Sequence, residues 1–218
     1  MAAPALDGKG RRVYRSPRRS GQAQLTRRRV VAAAAQEFVR AGFATTTMRS
    51  VATAAEVSVP TVERLFGSKT VLLKAAIDVA IAGDHDPVAV LDRAWVADAD
   101  AAVSATEFLA VVAGVVRPAM ARSAGLVLAA FQAAATDDTL AGVAQQLAEQ
   151  RAATVAWIVD GVRRRAPLRA GVSRRRAIDQ LWLLMDPAVY DGAVRHRGWT
   201  SAAYERWFVE AASRLLLD

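Results

Sequence analysis

The stretch VATAAEVSVPTVERLF, Val51 to Phe66, sets the strongest limit on what this chain folds into. It holds two short apolar-periodic runs, one stopping at Ala55 and the next starting at Val59. A helix that only fills a core needs no such break. Two helices joined by so tight a turn cross steeply, so the first braces while the second projects outward. The spacing predicts that Val51, Ala55, Val57, Val62 and Phe66 pack inward against Phe38, leaving Val59, Thr61 and Arg64 facing out. Ser58 stands where an N-cap is wanted, and Pro60 falls in the first turn, where a missing N–H costs little.

The rest of the 218 residues reads as helix too. Hydrophobic residues make up 53%, much of it alanine, with only 6% aromatics and no defensible β-branched alternation, which favours an all-α protein. From Thr26, the residues Val30, Ala34 and Phe38 share one face, and Gly42 closes that helix. A threonine-capped helix carrying Met48 and Val51 follows, and after Gly67-Ser68-Lys69 a longer one from Lys69 to Gly83. Further helices are expected over TEFLAVVAGVVRPAMA, kinked or broken near Pro118, then Ser123–Ala135, Thr139–Arg165, Arg174–Met185 and Ser201–Leu217. No run is expected to span a bilayer, since Ser123–Ala135 is short and interrupted by Gln132. No apolar signal core follows the basic N-terminus, so a cytoplasmic location is expected.

Charge divides the chain near residue 83. Fourteen Lys/Arg face five Asp/Glu up to Gly83, and fifteen face sixteen beyond it. A basic front on a neutral body points to a polyanion, either nucleic acid or an anionic membrane. The expected organisation is a disordered basic arm (1–24), a small basic helical unit with its linking helix (25–83), and a larger helical body (84–218). With no cysteine, two distant histidines and no phosphate-binding glycine loop, the chain is not expected to be an enzyme or to hold a cofactor or metal. Asp84-His85-Asp86 reads as a solvated loop rather than a metal site.

About fifty consecutive residues, TRRRVVAAAAQEFVRAGFATTTMRSVATAAEVSVPTVERLFGSKTVLLKAAI, resemble the DNA-binding domain of the TetR family of bacterial repressors. The likeness rests on the Phe38…Gly42-Phe43 helix end, the threonines before MRSVA, and the segments VSVPTV and LFGSKTVLL. It implies a three-helix, helix-turn-helix DNA-binding domain (25–83) on an all-helical ligand-binding and dimerisation domain (84–218), acting as a sequence-specific regulator. Thr46 or Thr47 and Lys69 match the family's phosphate contacts, and Ser58, Val59, Pro60, Thr61 and Arg64 match its recognition helix. Arg64 is the candidate reader of a guanine edge, with Arg18 and Arg19 of the arm following the backbone or a minor groove. Two positions depart from the pattern: Glu56 where the turn usually has glycine, and Glu63 where a phosphate-touching tyrosine is common.

For the body, Phe108, Met120, Phe131, Thr154, Trp157, Asp160 and Trp182 are candidate ligand contacts, near Pro118 and along the long helix after it. Ile178, Leu181, Trp182 and Met185 form one apolar stripe, and Tyr204, Phe208, Ala211 and Leu215 another. Two such stripes per subunit suit a four-helix bundle across a two-fold axis, unless both pack within their own subunit. The expected protein is therefore a homodimeric repressor, released from a palindromic operator by a small, largely apolar ligand. The competing readings are a helical-body enzyme and a non-specific nucleic-acid or anionic-membrane binder acting through the arm.

Overall fold

A computed structural model describes residues 17–218, with side chains from residue 21 onward. Helix α1 (Pro17–Thr45) begins well before Thr26 and takes in residues 17–24, which sequence assigned to a disordered arm; residues 1–16 lie outside the described part. Pro17 is preset for a first helical position, and extending a helix already fixed by Val30, Ala34 and Phe38 adds a hydrogen bond per residue without a new nucleus. Gly42 breaks the helical path inside this span at φ 76°. Next come α2 (Met48–Ala54), α3 (Val59–Phe66) and α4 (Lys69–Ala82). Thr47 caps α2 in a reciprocal box with Ser50, and the Ser68 hydroxyl accepts from Val71 N at the start of α4.

The tight turn between α2 and α3 is made by Glu56 at φ 53°, a left-handed conformation that costs a non-glycine residue about 1–2 kcal/mol. Arg29 of α1 secures it by donating to the carbonyls of Ala55 (2.5 Å) and Glu56 (3.4 Å). Glu56→Gly keeps both bonds and loses only an exposed 3.6 Å ion pair to Arg29. We expect it to raise stability by about 1 kcal/mol in urea denaturation. A fall in stability would mean that the ion pair outweighs the backbone strain.

The body comprises α5 (Trp95–Ala101), α6 (Ala105–Ala134), α7 (Asp138–Arg163), α8 (Arg174–Leu184), α9 (Pro187–Asp191), which runs into one π turn over Gly192–His196, and α10 (Ser201–Leu216). Helix α6 is central, packing against α1, α4, α5, α7, α9 and α10. It passes through Pro118 without a break, so the two helices expected there are one. Both halves are clamped by buried residues, Phe108 to Ala113 on one side and Ala124 to Ala130 on the other, which outweighs the bond lost at proline. Joined in this way, α6 is long and apolar enough by length and composition to cross a membrane, contrary to expectation. Its place among six packed helices accounts for that apolarity.

Two buried clusters lie along the chain. One unites α1 to α4 with Leu126, Val127, Ala130, Leu140 and Leu147 of α6 and α7, so the core of the N-terminal unit is completed by the body. The other lies among α5 to α10. Cations from helices and loops repeatedly meet the carbonyl end of a helix, where the helix dipole is negative and intrahelical donors run out. Arg27 donates to Leu65 O, Lys69 to Phe43 O, Arg122 to Ala80 O, Arg165 to Ala99 O and Arg169 to Arg214 O. Part of the basic front is thus spent within the fold. Arg40 pairs with Glu37 and Lys74 with Asp78, leaving Arg28, Arg49 and Arg64 as the unit's cations without a side-chain partner among the described residues.

Candidate nucleic-acid interface and cavity

Helix α3 buries Val62 and Phe66 against the core and exposes Pro60, Glu63 and Arg64. Pro60 and Arg64, one turn apart, lie opposite that buried side and form the middle of the outward face. Thr61 is half-buried, its hydroxyl 2.9 Å from that of Ser58. Ser58 occupies the N-cap position, but its side chain caps no backbone N–H. Val59 was expected to face out; it is half-buried and packed on the core, sharing a side with Val62 and Phe66. Thr47 is exposed at the start of α2.

Two expected phosphate contacts are placed differently. Thr46 is 1% exposed, and its hydroxyl donates to the carbonyls of Gly42 (2.8 Å) and Glu37 (3.1 Å), closing the frayed end of α1. Lys69 directs its ammonium at Phe43 O (2.7 Å) and lies 4.1 Å over the Phe43 ring. Burial there lowers its pKa, as expected for a cation drawn partly out of water. Both residues hold the α1 end against its neighbours rather than offering free groups to an anion. The side chains of Arg18 and Arg19 lie outside the described residues.

Between the N-terminal unit and the body lies a cavity of about 940 Å³, bounded by α1, α4, α6, α7 and the loop after α4. Its apolar wall includes Val112, Val116, Met120, Phe131, Ile158 and Met185. The loop is clasped by Arg93, which donates to Asp84 (2.5 and 3.1 Å) and to Val88 O (3.2 Å). That guanidinium, with the Asp86 backbone, holds the Asp84 carboxyl down to about 2, so the clasp stays charged until the pH falls that far.

Of the expected ligand contacts, Met120, Phe131 and Thr154 line this cavity, and Phe108, Trp157, Asp160 and Trp182 do not. Phe108 is fully buried, with Arg165 at 4.4 Å over its ring and Gly161 against its edge. Trp157 packs on Phe108 and Trp95 within the body core. Asp160 is bound by Arg174 (2.8 and 2.7 Å) and Arg163 (3.3 Å), and Arg174 chiefly lowers its pKa. Trp182 lies 3.8 Å beneath the Arg151 guanidinium. Sequence reasoning missed the α1 and α4 walls, because residues distant in sequence meet there only through the packing of α6.

The two apolar stripes largely resolve into the subunit's own core. Leu181, Met185, Tyr204 and Phe208 are buried within one chain, and the Tyr204 hydroxyl donates to Leu184 O (2.8 Å). They cannot form an intersubunit surface without opening that core. Ile178, Trp182, Ala211 and Leu215 are half-buried, while Leu183, Val189 and Trp199 are exposed on the same part of the molecule.

A short exposed helix, braced by a second across a tight turn and carried on a helical body, defines a helix-turn-helix DNA-binding protein. Residues 30–76 match the model of the bacterial regulatory proteins of the tetR family, so the N-terminal unit is a TetR-family DNA-binding domain. Over 84–90% of its length the chain takes the fold of solved transcriptional regulators. One, from Saccharomonospora viridis in complex with choline, is 15% identical with a TM-score of 0.67, over 89% of this chain and 99% of that one. FadR from Bacillus subtilis in complex with stearoyl-CoA is 16% identical with a TM-score of 0.65, over 84% and 96%. A TetR-family regulator from Mesorhizobium loti is 20% identical with a TM-score of 0.58, over 90% and 99%. No curated protein matches the sequence.

Proposed function

We propose that this chain is a cytoplasmic, homodimeric transcriptional repressor, released from a palindromic operator by a small, largely apolar ligand bound in the cavity. The observation that carries this reading is the wall shared between the two parts of the molecule. Helices α1 and α4, which frame the reading head, and α6 and α7 of the body all border one space. A ligand filling that space changes the position of α4 relative to α6, and with it the separation of two reading heads in a dimer. A dimer binds only while that separation fits successive major grooves. Regulators of this fold in complex with choline and with stearoyl-CoA support a small-molecule role for the body.

In this reading Arg64 reaches a guanine edge from the middle of the outward face, Pro60 touches a neighbouring base, and Thr47, Ser58 and Thr61 hold the backbone. Arg64→Ala is expected to cost about 1–3 kcal/mol of operator affinity and to relax preference at one position per half-site. Selection of binding sites from a random DNA pool measures both; an unchanged preferred site would place the reading face elsewhere. The reading as a whole is tested by a band-shift with the DNA upstream of this gene in excess non-specific DNA. Binding without sequence preference would favour a non-specific polyanion binder.

A further inference from the structure

We propose that the cavity takes an amphipathic anion, with a carboxylate or similar acidic head at Arg28 and an apolar chain running inward along α6. This rests on reading the cavity as the effector site. The polarity of its lining gives the ligand a direction. Residues from α1 and the loop, such as Arg28, His85 and Asp86, are exposed and mark the mouth. Val112 and Ile158, on α6 and α7, are fully buried and mark the interior. An apolar chain gains by covering the interior wall, and a charged head stays near water.

The sign of that head follows from which charges on the lining are already answered. Lys74 is held by Asp78 at 2.5 Å, and the Arg151 charge is met by Asp186 at 2.8 Å, although its buried Nε and Nη1 make no hydrogen bond. Asp84 is taken up by Arg93, and Asp86, the other acid at the mouth, has no ion-pair partner among the described residues. Arg27 is seated on Leu65 O and over the Phe66 ring. Arg28 has no side-chain partner among the described residues, and it stands at the mouth beside Arg27 and His85. Burial, then Arg28 and Arg27, lower the His85 pKa, against the smaller opposing influence of Asp84 and Asp86. Arg27, Arg28 and Arg93 together outnumber Asp84 and Asp86, so the mouth is net positive, and no carboxylate of the described residues pairs with Arg28. An anionic head supplies the missing charge and bridges α1 to the chain's contacts on α6.

The test uses the full-length protein and three probes with the same tail: dodecanoate, dodecanol and dodecyltrimethylammonium, each below its micelle concentration. Binding is read by calorimetry. Dodecanoate should bind at least about tenfold tighter than the others, as one charge-assisted contact allows. Arg28→Gln should remove that preference while leaving dodecanol affinity unchanged, and Arg28→Glu should shift preference to the ammonium. Val116→Trp, confirmed folded by its melting curve, should block all three by filling the cavity. Equal or tighter binding of dodecanol or the ammonium to the unaltered protein, or a preference that survives Arg28→Gln, overturns the anion and leaves the cavity reading intact. Binding of none of the probes, or binding undisturbed by Val116→Trp, overturns the cavity reading and the anion with it.

Discussion

Gly161→Ala is expected to destabilise the folded chain by about 3 kcal/mol, the upper end of the range for overpacking a filled core. A Cβ at this position would lie 2.2 Å from Phe108 Cζ and 2.7 Å from Cε1. The ring has nowhere to retreat: Arg165 covers one face at 4.4 Å, and Trp157 lies 5.5 Å away. Urea denaturation measures the loss, and Phe108→Leu in the same chain should restore part of it by removing the ring edge. A loss below about 1 kcal/mol would mean that Phe108 moves easily, which would reopen its role as a ligand contact.

The second large effect concerns communication. Arg122 of α6 donates to Ala80 O (2.8 Å) and Ile81 O (3.4 Å) in the last turn of α4. Its guanidinium lies so close over Gly83, at φ 89°, that a Cβ there would meet Nη2 at 2.9 Å. In the proposed mechanism this joint carries a displacement of α6 to α4, the helix leaving the reading head. For an effector coupling of about 1–3 kcal/mol, the unaltered protein should lose roughly 5–150-fold of its operator affinity when the ligand binds. Arg122→Ala should shrink that response to about threefold or less while sparing operator binding by the ligand-free protein. Band-shifts with and without ligand give both values, and calorimetry with and without operator must return the same factor by reciprocity. A full response in the variant would remove this joint from the mechanism.

The reading head was legible in the sequence because its signals are local. Thr47 with Ser50, Pro60 at the start of a helix, and the Ala55–Val59 gap are all set within a few residues. Glu56 was visible as a departure from the usual glycine, and the backbone accepts it at φ 53°. The failures are tertiary in origin. Periodicity showed that α8 and α10 each carry an apolar stripe, but not that these stripes face each other inside one chain, as Leu181 and Phe208 do in a shared core. Proline chemistry predicts a kink or break at Pro118, and packing on both sides keeps the helix unbroken there. Thr46 and Lys69 carry groups suited to phosphate, yet the nearest acceptors are carbonyls of their own chain.

Within the proposed mechanism, Arg27 offers a second line of communication. It donates to Leu65 O in the final turn of α3, lies 4.4 Å over the Phe66 ring, and also borders the cavity. A ligand at the mouth is therefore one side chain away from the recognition helix, without passing through α4. Two routes then share the response unequally: the larger part passes through Arg122, and Arg27 carries the remainder that survives its loss. Substitution at Arg27 in the Arg122→Ala chain should then abolish what response remains, the behaviour of two unequal conductors wired in parallel rather than in series.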